Sequence, residues 1–156
     1  MSQYINFYLR VNDTFVPVGS YPRNLEIYQV AHNYVPYEHI VNLTEKDFNL
    51  MMEDAEARVR KNKSEMQKLK ETISLIMSAN SPLREKMAEA DNIEEEIREI
   101  EESNSGLDFA YDIFLHFYDM INDARYGIDS LDNDYNHYIY AGIEAVGSLE
   151  NVVEDK

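Results

Sequence analysis

Four aspartates, Asp108, Asp112, Asp119 and Asp123, recur at steps of four, seven and four residues. On an α-helix that spacing lines them along one stripe. A row of carboxylates can imitate phosphates and occupy the basic groove of a nucleic-acid-binding protein. Tyr111, Tyr118 and Tyr126 fall among them, and tyrosine is a frequent anchor in protein interfaces. The stripe sits in a C-terminal third, Ser103 to Lys156, that carries 11 acidic and 2 basic residues. The plainer alternative for the whole stripe is a solvated helix face. The lack of balancing bases makes the seven residues together a candidate partner-binding set.

Other constellations carry less. His116, Asp119 and Asp123 stand at helical spacings of three and four and could converge on a metal, as a metal-dependent hydrolase would require. His32, His39 and His137 supply no HxH or HExxH partner, and a solvated face accounts for the trio more simply. Asp132, Asp134 and Asn136 imitate the first ligands of a calcium loop, but His137 holds its glycine position and Ile143 its twelfth, with Glu144 one residue late. Both departures damage a site that needs a sharp turn and a bidentate carboxylate, so an Asx-rich turn is the better reading. There is no GxSxG, no phosphate-cradling glycine loop and no Cys-His pair. Acids this numerous single out no acid/base couple. The expectation is a chain that is not an enzyme and takes no cofactor or metal.

Charge sets the class of partner. The 156 residues hold 30 acidic and 14 basic side chains, a formal net charge of −16. Nucleic acid and anionic membrane are therefore disfavoured as direct partners, and a basic protein is favoured. There is no cysteine, which excludes disulfides and thiolate chemistry and suits a reducing compartment. No apolar run reaches the ~18 residues of a membrane span, and Met1-Ser2-Gln3 opens without a basic leader. These features lead to the expectation of a cytoplasmic protein.

The elements that must position the stripe can be read from periodicity. Ile5, Phe7, Leu9 and Val11 alternate with Asn6, Tyr8 and Arg10, the pattern of a half-buried strand. A tight turn at Asn12-Asp13 leads to a second strand from Thr14, which Pro17 consigns to an edge. Ser20 to Val35 reads as a short helix with Ser20 or Asn24 as cap and Pro22 in its first turn. His39 to Leu43 reads as a third strand.

Thr44 with Asp47 three residues on begins a long helix in the manner of a capping box. From Phe48 through Met52, Ala55, Val59, Asn62, Met66, Leu69 and Ile73 to Ile76, seam residues alternate at four and three, a heptad pattern with one polar member. Asn80-Ser81-Pro82 ends it. A second seam runs through Leu83, Met87, Ala90, Ile93, Ile97, Ile100, Asn104, Leu107, Tyr111, Phe114, Tyr118 and Ile121, with one three-three step, a stammer, at Ala90. Ser103 to Gly106 has weak helix propensity and marks a place where this helix could bend or break.

Arg58 to Lys70 carries six basic residues and one acidic. Glu94 to Glu102 carries six glutamates and Arg98. A hairpin turning near Ser81 sets residue i beside about 162 − i, which opposes the two blocks and fixes register. Asn62 and Asn104 fall about one turn out of direct opposition in that register. Asp129 to Asn136 reads as a polar loop, Tyr138 to Ala141 as a strand rejoining the N-terminal sheet, and Glu150 to Lys156 as a frayed tail.

The expected fold class is α+β and predominantly helical: a small N-terminal antiparallel β-sheet, a long antiparallel helical (coiled-coil) hairpin and a C-terminal acidic helix. The parts expected are 1–43, 44–104 and 105–156, together one domain with a projecting hairpin. The expected function is a non-catalytic protein–protein interaction in which the acidic third occupies a basic surface. Its most concrete form is an inhibitor that mimics nucleic acid on a nucleic-acid-processing enzyme, in the manner of phage anti-defence proteins. The alternative is a structural or assembly protein that forms a homodimer through its hairpin.

Overall fold

The computed structural model describes residues 3–11, 13–37, 39–126, 135–145 and 153–154, and the side chains of 11, 123–126, 135–138, 144–145 and 153–154 are not described. The elements in chain order are β1 (Gln3–Val11), β2 (Thr14–Pro22), α1 (Glu26–Ala31), a 3₁₀ turn (His32–Tyr34), β3 (His39–Leu43), α2 (Glu45–Ser78), α3 (Leu83–Tyr126), β4 (Tyr135–Ala145) and β5 (Val153–Glu154). The strands form one sheet in the order β2-β1-β4-β3-β5, antiparallel except that β5 runs parallel to β3. The fold is α+β, as the alternation and the seams predict.

The β1–β2 hairpin closes with Val11 opposite Thr14. β2 is an edge strand. Its ladder shifts between Phe7↔Gly19 and Tyr8↔Pro17, so Val18 is the extra residue of a bulge beside the proline that cannot donate. Gly19 keeps a flat surface here. A Cβ would press on the Tyr21 ring, which lies across the glycine and meets Phe7 edge-on at 6.0 Å.

Helix α1 is shorter than the expected 20–35 span. Its start is Leu25, with no side-chain cap, because Ser20 and Pro22 remain in the strand and pair with Asn6 and Tyr4. The Ser20 hydroxyl spends itself on the Asn6 side chain at 2.6 Å rather than on a helix N-terminus. Tyr8 also departs from a half-solvated strand. It is 1% exposed and joins Ile40 and Tyr140 in a second small cluster on the sheet face away from the helices, with Phe15 packed against it. The expected strand at 138–141 is present and longer, running from 135, so the end of the expected polar loop (135–136) is strand. The expected tail contributes the two residues of β5. The rest of both segments lies outside the described residues.

Thr44 and Asp47 form the capping box. The Thr44 backbone N–H donates to Asp47 Oδ2 (2.9 Å), and the Asp47 N–H donates to Thr44 Oγ1 (3.3 Å). α2 then runs 34 residues. At the other end of the loop Pro82 supplies a carbonyl to the N–H groups of Glu85 and Lys86, so it opens α3 without needing its own donor. α3 runs 44 residues without a break through Ser103–Gly106. The weak propensity there is overridden by packing: Glu26 of α1 lies against α3 where a Gly106 Cβ would stand.

One core binds these parts. Ile5, Phe7, Ile139 and Ile143 of the sheet meet Ile27 and Val30 of α1, Phe48, Met51 and Ala55 of α2, and Leu107, Ala110, Phe114 and Phe117 of α3. Phe117 touches both Phe7 (4.9 Å between centroids) and Phe48 (5.7 Å). A two-helix seam does not anticipate Met51, Ala110 or Phe117. They are buried because this end of the hairpin also faces a sheet and so needs a wider apolar stripe.

Beyond Val59 on α2, and before Leu107 on α3, no residue belongs to that core. Outward of this line the seam residues Met66, Leu69, Ile73, Ile76, Ile93 and Ile100 are only half-buried. Leu83 and Met87, expected in the seam, stand outside it as exposed residues, because the covered side of α3 continues from Ile97, Ile93 and Ala90 to Lys86. No helix among the described residues is long and apolar enough to cross a membrane.

Candidate interaction site

The α2–α3 junction, where the arm leaves the body, holds a groove of about 420 Å³ lined by Ala55, Glu56, Val59 and Arg60 of α2 and by Leu107, Asp108, Tyr111 and Asp112 of α3. Ala55 and Leu107 are its buried floor, fixed by the central core beneath. Val59 and Tyr111 are half-buried walls. Asp108, Asp112 and Glu56 form an exposed acidic rim, and Arg60 leans toward Glu56 at 3.9 Å, the long end of an ion pair. Three carboxylates against one guanidinium leave the rim net negative.

This arrangement joins an apolar slot to anionic edges. It suits a side chain with an aliphatic stem and a cationic head, a lysine or arginine whose stem lies along Val59, Leu107 and Tyr111. At roughly 1 kcal/mol or less per exposed charge pair, discrimination would come from the slot and the steering from the rim.

The structure distributes the sequence candidates unevenly. Asp108, Tyr111 and Asp112 come together in the groove. Asp119 is exposed on the same stripe two turns on, outside the groove, beside the exposed His116. Tyr118, like Tyr111, is half-buried against the core rather than freely exposed. Asp123 and Tyr126 lie in α3, with side chains outside the described residues. Among the described residues no three His, Asp or Glu side chains gather where they could hold a metal. Of the calcium-like segment, Asp132 and Asp134 lie outside the described residues, while 136–144 belong to strand β4 with Ile143 buried in the core. A strand cannot wrap an ion as a loop does.

The α2 wall of the groove escapes sequence reasoning. Ala55 and Val59 read as seam, and Glu56 and Arg60 as one more solvated pair. The available signal was that Val59 and Tyr111 are both seam positions at the level where the sheet ends.

A second hollow of about 480 Å³ on the other side of the hairpin is lined by Glu26, Gln29, Arg58, Lys61, Asn62, Glu65, Ser103 and Leu107. Its charges are mixed, and Arg58 Nε is engaged with Asp54 at 3.0 Å. The acidic character therefore belongs to one side of the hairpin base. Comparison with family models, curated proteins and solved structures found no match.

Proposed function

We infer that this chain is a non-catalytic interaction protein whose acidic groove, with the Asp108–Asp112–Asp119 stripe beside it, occupies a basic surface of a partner protein. The observation that carries this reading is the meeting of Asp108, Asp112 and Glu56 with the Val59–Leu107–Tyr111 slot. Carboxylates alone would be a solvated face. Carboxylates beside a preformed apolar slot form a receptor for a basic side chain. Along the helix, steps of four and seven residues place the stripe's charges about 6 and 10 Å apart, a spacing a phosphate-binding surface can accept. The concrete form is inhibition of a nucleic-acid-processing enzyme by occupying its nucleic-acid site.

Affinity capture from a cell lysate at about 50 and 500 mM salt, followed by mass spectrometry, tests the reading. Enrichment of a basic nucleic-acid-binding protein at low salt, lost at high salt and lost in Asp108→Asn/Asp112→Asn, is expected. Capture that is indifferent to salt and to these substitutions would overturn it.

A further inference from the structure

The groove continues outward as a face that the hairpin leaves uncovered. Glu56 and Asp108 share the groove. Seven residues further out along each helix stand Lys63 and Glu101, then Lys70 and Glu94, then Met77 and Met87. Because seven residues are two turns, these pairs stay on the same side of the two antiparallel helices as the groove.

The four charged residues are exposed. Met77 is 43% exposed, Met87 52% and Leu83, one turn before Met87, 62%. The seam beneath them is half-buried (Met66, Ile73, Ile93), with Ala90 and Ile97 the covered exceptions. The ion pairs formed by these segments run within a helix, Arg60 to Glu56 and Arg98 to Glu95.

We propose that this face is the contact with a second copy of the chain, the two arms packing side by side about a twofold axis parallel to them as a four-helix bundle. Charge selects this arrangement. With the axis along the arms, each α2 lies beside the other copy's α3 at the same level. Lys63 then meets Glu101, Lys70 meets Glu94, and Met77 meets Met87. With the axis across the arms, α2 would lie on α2, and Lys63 would meet Lys70.

The contact ends where the body begins, because at that level Glu56 would meet the other copy's Asp108, acid against acid, and repel. The acidic grooves are thereby left open to another partner. An arm face about 25 Å long and about 20 Å wide gives ~1,000 Å² in total, the lower bound of a specific contact. The dimer is accordingly reversible.

Sedimentation equilibrium of the full chain from about 1 µM to about 1 mM tests it. A monomer–dimer equilibrium without larger species is expected, and Met77→Glu/Met87→Glu weakens it at least tenfold with helix content unchanged by circular dichroism. A charge exchange checks the axis. Lys63→Glu/Lys70→Glu and Glu94→Lys/Glu101→Lys are each expected to be monomeric alone and to form a 1:1 heterodimer when mixed. A monomer throughout the range, or a dimer that survives the methionine substitutions, overturns the proposal. A dimer lost with Met77 and Met87 but no heterodimer on mixing overturns the parallel axis.

Discussion

The Asn62 side-chain amide donates to the Asn104 side-chain oxygen at 2.8 Å, joining α2 to α3 across 42 positions of sequence. Asn104 is 9% exposed, the one buried polar residue among those described. The pair stands where the body's core gives way to the arm. It also sets the register: the two asparagines face each other although a symmetrical turn at Ser81 would hold them about one turn apart. A shift of either helix by one turn would leave Asn104 buried without its partner.

Asn104→Leu is therefore expected to cost about 1–2 kcal/mol, since the Asn62 amide loses its acceptor in a half-buried place. The double change with Asn62→Leu should recover most of that loss, because both polar groups go together. Urea denaturation of the four species measures the coupling. Simple additivity of the two single effects would refute the pairing.

Thr44→Ala is expected to destabilise the chain by about 1 kcal/mol by leaving the Asp47 N–H without its acceptor. Asp47→Ala should cost less once Thr44 is already alanine, because the Thr44 hydroxyl also donates to Asp47 Oδ2 at 3.0 Å and that bond is then already gone. Chemical denaturation of the two single variants and the double one reads this directly. Equal costs of Asp47→Ala in both backgrounds would argue against the box.

Gly106 interrupts a helix where alanine would be favoured by about 1 kcal/mol. A methyl group there collides with the Glu26 carboxylate. Gly106→Ala alone should gain less than that amount, since Glu26 must swing away. In a Glu26→Ala background the gain should be the full ~1 kcal/mol. Thermal melts of the four species decide, and an identical gain in both backgrounds would show that Glu26 does not constrain the position.

Burial raises the Tyr28 phenol to about 12, the neighbouring Tyr37 hydroxyl adds to this, and Arg23 opposes it. Tyr21 and Tyr34 are also raised by burial, Tyr34 with help from Asp54. In the unfolded chain such phenols ionise at the ordinary tyrosine value of about 10. The unfolded state therefore loses protons first, and stability that is full below pH 10 falls as pH rises toward 12. Tyr28→Phe should lower stability at pH 8 by about 1 kcal/mol, because its hydroxyl no longer donates to Gln3 Oε1 (3.2 Å). It should also flatten the alkaline decline. Denaturation midpoints between pH 8 and 11 check both, and an unchanged alkaline slope would count against Tyr28 as a source.

The hairpin was legible because Phe48 to Ile76 and Leu83 to Ile121 keep one period over many turns, and Pro82 breaks them cleanly. The strands were legible where alternation is strict, as at Ile5 to Val11. What escaped was governed by contacts distant in sequence. Tyr8 looks solvent-facing until Ile40 and Tyr140 are brought against it. Ser20 resembles a helix cap until Asn6 claims its hydroxyl. The stripe of aspartates was legible as a stripe, but its groove was not. Glu56 and Arg60 join its rim only when α2 and α3 pack side by side, and no local pattern encodes which exposed residues then share a groove.

The place of β4 in the sheet has a consequence for how the chain is made. It pairs with β1 on one side and β3 on the other, so the middle of the sheet is the last long strand to be synthesised. About 90 residues separate the end of β3 from the start of β4, and at ~5–20 residues per second their synthesis takes several seconds. During that interval α2 and α3 can zip together, while β1 and β3 wait with open edges. Beside the local β1–β2 pairing, the helical hairpin is thus the largest part of the nascent protein able to form before the sheet's central strand arrives.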